Sequence, residues 1–392
     1  MRNGERESSY TAYLKGIESS RSSLLILRYC EVDMILINMG NVAYGVRYKR
    51  HGIPQIAHVT KEIIVSSGVI SSPLLLMKSG IGPRTQLTKG GIPTKVDSIG
   101  VGQNLHNHGG VTLLFSVNNP KLELLPKVEK RAFEEDLGRY HDSIWRHGFF
   151  ARVDFGPQAF IVSGRAKGEG EANHPDLQII YRLKPLLGDG QLEIQLHVII
   201  TRMKSVGSVG FNSTSHFEGE EDDTKLAIID DKLFTDSTDV DVLIEGIKLA
   251  IKIMEETTPF QAMKLSYNEN PPELCKSLPP RSDEAHGGDM QNGKRAGPHG
   301  CFGFETEVPF FTSYTNKQRT TLLTAQKIYR VKGVKKLRVV DASALPRTPN
   351  SGIFAATLML AEKTVQEIFK EHVSEMTPPA VIPQPQQLEP SL

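Results

Sequence analysis

The sequence predicts an α/β plus α+β protein: a body of alternating strands and helices with an antiparallel sheet inserted into it. Three observations carry that expectation. Residues 61–83, KEIIVSSGVISSPLLLMKSGIGP, read as strand, glycine turn, short helix, glycine stop. Residues 111–200 hold successive apolar or alternating runs joined by polar connections, the pattern of an antiparallel sheet. Far downstream, Leu337–Val340 is a second buried strand that ends on Asp341-Ala342. At 392 residues the chain exceeds one ordinary core, so more than one domain is expected. The expected division is 1–110 and 329–372 as one α/β body, 111–328 as the inserted sheet region, and 373–392 as a disordered tail.

In the first stretch, Ser9–Leu14 reads as a helical turn, and Leu24–Leu27 and Val32–Ile37 as strands. Met39-Gly40-Asn41 is a hairpin turn leading into a strand over Val42–Tyr48. In the 61–83 block, Ile63, Ile64 and Val65 form the strand, and Gly68 supplies the turn. Ser71-Ser72-Pro73 predicts the helix start, serine as cap and proline near the first helical position, and Gly80 is the stop. Such a turn brings backbone N–H groups to a ligand at the carboxyl edge of a sheet.

Residues 98–110, SIGVGQNLHNHGG, form a loop in which Gly102, Gly109 and Gly110 allow close backbone approach and Asn104 both donates and accepts hydrogen bonds. His106 and His108, two residues apart with no carboxylate nearby, are weak evidence for a metal, and none is expected. Within the sheet region, Val111–Val117, Phe160–Val162, Leu177–Leu183 and Leu192–Ile200 are strands and Lys127–His147 a charged amphipathic helix. Gly207-Ser208-Val209-Gly210 is glycine-spaced but reads as a connection between strands. Glu218–Asp223 is a solvated acidic loop. Val240–Met254 is the clearest helix, with Ser237 or Thr238 as its cap. Residues 279–300 form a polar loop, and the tail from Thr377 is rich in proline and glutamine.

Several function classes lack support. Hydrophobic content of 39% with a net charge of +1 suits a globular chain and gives no reason to expect nucleic acid or an anionic membrane as partner. No apolar run is long enough to span a bilayer, and the opening MRNGERESSYTAYLKG is too polar for a signal peptide. Three cysteines (Cys30, Cys275, Cys301) show no CxxC spacing, leaving the redox compartment open.

The segment SGVISSPLLLMKSGIGP resembles AGAIGSPQLLMLSGIGP of the glucose–methanol–choline (GMC) flavin oxidoreductases, with Ser72-Pro73, Leu75, Leu76-Met77 and Ser79–Pro83 in step. SIGVGQNLHNHGG resembles that family's VGxNLxDH, with Asn107 for the usual aspartate. Tyr329–Ser343 resembles LRVHGVKGLRVVDAS. The resemblance implies an FAD-binding domain of FAD/NAD(P)-binding type, contacted by Val32, Gly68, Asn104, Asp341 and Ala342. It implies a second domain that binds a small alcohol or sugar-like substrate, as in insect glucose dehydrogenase-like members. Its reaction is oxidation of a CH–OH group with hydride passing to the flavin.

Three departures accompany the resemblance. No GxGxxG turn is found, so the chain is expected to correspond to the later part of a family member, with its FAD-phosphate module missing. His299 aligns with the family's catalytic histidine, which takes the substrate hydroxyl proton, but the residues after it do not match. The family's second catalytic position falls on Ile353 or Phe354, neither of which carries a side-chain donor. A non-catalytic descendant that keeps the fold for binding is therefore the alternative expectation.

Overall fold

A computed structural model describes residues 4–118, 130–142, 151, 156–185, 192–267, 312–313 and 329–376. The 279–300 loop with His286 and His299, the cysteines Cys275 and Cys301, and the tail beyond 376 lie outside the described residues.

After a short helix α1 (Ser9–Tyr13), β1 (Cys30–Ile37), β2 (Ala43–Arg50) and β3 (Ile53–His58) form an antiparallel meander in the order β1-β2-β3. The expected hairpin turn is present: Asn38 Oδ1 accepts from the Gly40 and Val42 N–H groups, and Asn41 takes φ 54°. No strand forms over Leu24–Leu27, where Leu25 to Leu27 are exposed. An apolar run with no sheet face to cover has nothing to hold it extended.

The chain then makes β4 (Ile63–Val65), α2 (Gly68–Lys78), β5 (Ile81–Gly82), α3 (Arg84–Lys89), β6 (Val96–Asp97) and β7 (Gln103–His106). Helix α2 begins at Gly68, three residues before the expected start, and places Pro73 inside the helix. Every residue from Ser72 to Lys78 is buried, so α2 is the axis of the first core. Gly80, at φ +89°, ends it as expected, because a Cβ there would lie 2.6 Å from the Pro93 carbonyl oxygen.

The inserted sheet follows. It comprises β8 (Gly110–Val117), α4 (Lys130–Asp142), β9 (Gln158–Ile161), α5 (Gly164–Gly168), β10 (Leu177–Pro185) and β11 (Leu192–Ile200). Strands β8 to β11 join a later strand, β14 (Leu265–Tyr267), in a five-stranded antiparallel sheet ordered β14-β8-β11-β10-β9. The nine-residue β10 and β11 pair in unbroken register from Leu177↔Ile200 to Pro185↔Leu192.

Next come β12 (Gly207–Phe211), α6 (Ser213–Phe217), α7 (Asp223–Leu226) and β13 (Ala227–Asp230), then α8 (Ser237–Glu256), α9 (Thr258–Ala262) and β14 (Leu265–Tyr267). The glycine-spaced Gly207–Gly210 is thus a strand rather than a connection. It pairs with β7 and β13 in a sheet ordered β13-β12-β7-β15, where β15 is Thr312–Ser313, and its side chains enter the first core. Gly102 makes that approach possible: a Cβ there would sit 2.0 Å from the Val209 carbonyl oxygen. The acidic run is anchored rather than merely solvated. Lys78, itself buried, donates to Asp223 at 2.6 Å, Lys49 pairs with Glu221, and Asp222 caps α7. Helix α8 is capped by Asp236, one residue before the expected cap, and lays Val242, Leu243, Ile247, Ala250, Ile251 and Met254 on the five-stranded sheet.

The last segment returns to the first core. β16 (Leu337–Val339) pairs with β4 in parallel, Leu337↔Ile63 to Val339↔Val65, and a 3₁₀ turn (Ala342–Ala344) and α10 (Phe354–Met376) follow. Arg338, with no exposed surface, donates to Glu62 Oε2 at 2.8 Å and also to Glu371, which fastens α10 to the parallel pair. Leu360 and Thr364, one turn apart on α10, face inward. Among the described residues, no helix is long and apolar enough to cross a membrane.

Candidate functional site at the carboxyl end of the parallel strands

β4 and β16 end side by side, and their carboxyl ends are closed by one side chain. Asp341, only 6% exposed, caps the 3₁₀ turn by accepting from the Ser343 N–H at Oδ1, 2.8 Å, and from the Ser343 hydroxyl. Its Oδ2 accepts from the Gly68 N–H at 2.9 Å and from Ser72 Oγ at 2.5 Å. Ser72 in turn accepts the Ser67 N–H at 3.0 Å, and Ser66 Oγ donates to the Val340 carbonyl at 2.9 Å. A carboxylate at the first turn of α2 satisfies an otherwise orphan N–H and complements the helix dipole. The cap the sequence assigned to Ser71 or Ser72 is therefore supplied from the far end of the chain.

A second set of bonds holds the segment after the 3₁₀ turn. Asn104, in the left-handed region at φ 64°, donates from Nδ2 to the Pro346 carbonyl at 3.3 Å and places Oδ1 3.1 Å from His106 Nε2. His108 Nε2 lies 3.0 Å from the Pro349 carbonyl, and Asn107 Oδ1 accepts the His108 N–H at 2.9 Å. Asn350 Nδ2 donates to the Pro175 carbonyl at 2.8 Å, which joins this segment to the sheet region. Burial pushes the His108 imidazole down to about 4, partly opposed by the Pro349 and Thr201 carbonyls. Burial, with help from Arg347, also lowers His106. Both are neutral near pH 7 and engaged with the chain rather than convergent on a common point. Among the described residues, no group of three His, Cys, Asp or Glu is arranged to hold a metal ion.

Four of the six predicted site residues therefore surround one region: Gly68, Asp341 and Ala342 at the strand ends, and Asn104 across from Pro346. Val32 lies elsewhere on β1, partly exposed. β1 touches α2 at its other end, where the Ile35 N–H donates to Ser79 Oγ at 2.8 Å; α2 is roughly 16 Å long at 1.5 Å per residue. His299 lies outside the described residues. Of the second catalytic position, Phe354 is 57% exposed at the first turn of α10, and Ile353 gives its carbonyl to the Thr357 N–H and hydroxyl. The sequence names Ser72 as a helix-start residue and His108 as half of a weak metal pair but places neither in the site; a serine one residue before a proline at a helix start reads locally as a cap, which hides a bond made across the fold.

The strand ends leave room for the uncharged part of a flavin dinucleotide. The Gly68 Cα is bare, and a Cβ there would meet nothing within 4 Å, so a planar or polyol ligand has room to approach the backbone. The site is not a phosphate seat, because the amino end of α2 already holds the carboxylate of Asp341.

Residues 1–109 match the family model for GMC oxidoreductases. The chain is 28% identical over 373 residues to human mitochondrial choline dehydrogenase, covering 93% of this chain and 57% of that protein. It is 26% identical over 384 residues to the Drosophila melanogaster glucose dehydrogenase [FAD, quinone], covering 92% of this chain and 55% of that one. Among solved structures, a formate oxidase of Aspergillus oryzae RIB40 superposes with a TM-score of 0.72 at 21% identity, over 95% of this chain and 64% of that one. A fungal aryl-alcohol oxidase superposes with a TM-score of 0.70 at 18% identity, over 95% and 65% respectively. The chain thus spans a little over half the length of the proteins it matches in sequence, and about two thirds of these structures.

Proposed function

We propose that this chain, whose residues 1–109 match the GMC oxidoreductase family model, serves FAD-dependent oxidation of small alcohol or sugar-like CH–OH donors as a member of that family. The observation that carries this reading is the parallel pair β4 and β16, whose carboxyl ends carry the Gly68–Asp341 contact where an open α/β sheet binds its ligand. Bound there, FAD would accept the hydride from the carbon bearing the hydroxyl group. Gly68 and Ala342 would approach the flavin with main chain alone, and Asn104 would hold the 346–349 segment beside it. His299 is the proposed acceptor of the substrate hydroxyl proton. In this reading, residues 1–110 and 329–372 make the flavin-side body, joined by the β12–β13 hairpin, and the five-stranded sheet with α8 forms the substrate side.

The relatives support the substrate class: the human protein is a choline dehydrogenase and the fly protein a glucose dehydrogenase. Testing starts with FAD added to the purified chain while flavin fluorescence is followed. Saturable quenching is expected, and its absence up to ~1 mM FAD, an affinity too weak for a resident cofactor, would count against the reading. Choline, glucose and an aryl alcohol, each with a dye acceptor, then distinguish donors. Turnover is expected to be slow, because a missing donor to the developing alkoxide costs on the order of 100-fold or more, and Ile353 and Phe354 offer none.

A further inference from the structure

Ser72 has no assigned role, yet it has no exposed surface and stands between the two segments that form the carboxyl edge. Its hydroxyl accepts from Ser67 and donates to Asp341 Oδ2. That oxygen also takes the Gly68 N–H, while Oδ1 takes the N–H and hydroxyl of Ser343. All four donors come from the chain, and together they engage the carboxylate on both oxygens.

We propose that Ser72 and Asp341 form a bracket that positions the flavin-side main chain, with Asp341 acting through Ser72, Gly68 and Ser343 rather than touching the cofactor. The proposal rests on the flavin reading above and departs from a direct contact between the Asp341 side chain and the ligand. Three arguments support it. A carboxylate with four chain donors has little capacity left for ribityl hydroxyls. A negative charge buried beside the FAD pyrophosphate would repel it, whereas the same charge at the amino end of α2 is stabilised by that helix. The Gly68 Cα, held by the bracket through its own N–H, is the surface with open space beside it. The bracket fixes the spacing between the α2 turn and the 3₁₀ turn, and that spacing is what a flat ring or polyol chain would sense.

The test uses the full chain with Ser72→Ala, Asp341→Asn and the double variant, all close in volume to the native residues. Amide exchange without FAD is the first readout. Ser72→Ala is expected to speed exchange at Gly68 and also at Ser343, because a carboxylate released on Oδ2 also loosens on Oδ1. FAD affinity, measured by fluorescence below the melting temperature of every variant, is the second. Each single variant should raise Kd about tenfold, the effect of losing one charge-assisted bond, with the double variant no worse than the weaker single.

Asp341→Asn weakening FAD while Ser72→Ala leaves Kd unchanged would show direct contact and overturn the proposal. So would a Ser343 amide indifferent to Ser72→Ala, or variants that melt earlier yet bind FAD as tightly as wild type. A wild-type chain that binds no FAD overturns the flavin reading and this use of the bracket with it. Loss of the exchange coupling with FAD binding intact overturns the bracket alone.

Discussion

The two cores of this chain are held together by different means. The second core is a continuous ladder: β10 and β11 pair over nine residues, β8 extends the pairing on the far edge of β11, and α8 covers one face with residues at helical spacing. Four of its five strands come from one stretch of chain, β8 to β11, and backbone bonds plus apolar burial define it. The first core brings together segments remote in sequence, and among the described residues its parallel pairing consists of two short pairs, β4 with β16 and β5 with β6. There the joints are side chain to backbone: Asp341 to Gly68, Ser79 to Ile35, His108 to Pro349, Asn104 to Pro346. A long ladder specifies itself, whereas short strands from distant segments need individual polar side chains to set their spacing. All of them but the Ser79 joint, which lies at the far end of α2, stand around the proposed ligand site, so the region meant to bind is also sensitive to single polar substitutions.

The largest expected effect sharpens the contrast from the ladder side. Phe115 points into the second core, almost wholly buried against Tyr267. Phe115→Ala should cost about 3–5 kcal/mol through lost burial and a cavity. Denaturant titration measures the loss, and exchange at Gly68 should be unmoved while the chain stays folded. A faster Gly68 amide under native conditions would mean that the two cores unfold as one unit.

Acid should act on the first core. His108 stays neutral in the fold to about pH 4, while the unfolded chain takes up its proton near 6.5. Between those values the unfolded state binds more protons. The stability fully present above pH 6.5 is therefore lost progressively as pH falls toward 4, by about 3 kcal/mol from this group. Denaturation midpoints at pH 7, 6 and 5, compared with His108→Gln, isolate that share. A variant as steeply pH-dependent as wild type would place the titration elsewhere.

What the sequence reveals follows the same division. Strands β8 to β11 of the five-stranded sheet are legible because alternation and apolar runs are local signals, whereas the three-residue β14 is too short to give one; α8 is legible because its apolar residues recur at three-to-four spacing. The errors cluster where a distant residue decides. The α2 start lies at Gly68 because Asp341 caps it from the end of the chain, and no pattern within 61–83 encodes that. Gly207–Gly210 reads as a connection until β7 is seen beside it, with Gly102 giving the space. The run Glu218–Asp223 reads as solvated because Lys49 and Lys78, which bind it, lie far upstream. The block containing Asp341 is recognisable by resemblance, but the four donors to its carboxylate are visible only in the fold.

A smaller effect is expected at Ser79. Its hydroxyl takes the Ile35 N–H at 2.8 Å and donates to the Leu75 carbonyl at 2.6 Å, and the residue is buried. Ser79→Ala leaves a buried N–H without an acceptor, at a cost of about 1–3 kcal/mol. The loss should appear as faster exchange at Ile35 and in β1, with β10 and β11 unchanged. A cost under about 0.3 kcal/mol would show that the meander is held by its own ladder, and the contrast between the two cores would weaken accordingly.

The smallest effect concerns Phe354, which stands at the entry to α10 beside the polar joints without belonging to them. It is more than half exposed, so little apolar contact is lost when the ring is removed. Phe354→Asn should therefore change stability by less than about 0.5 kcal/mol. The same substitution restores a side-chain donor at the position where the resemblance expects one. In flavin-loaded protein a low rate of alcohol oxidation should rise, read as kcat with a dye acceptor, while the melting temperature stays level. A stability loss above about 1 kcal/mol would show that Phe354 is packed as firmly as the core residues. An unchanged rate would move the missing donor to Ile353 or remove it from the argument. The paired measurement separates them because the exposed ring gives folding almost nothing to lose, so any change in rate belongs to the site.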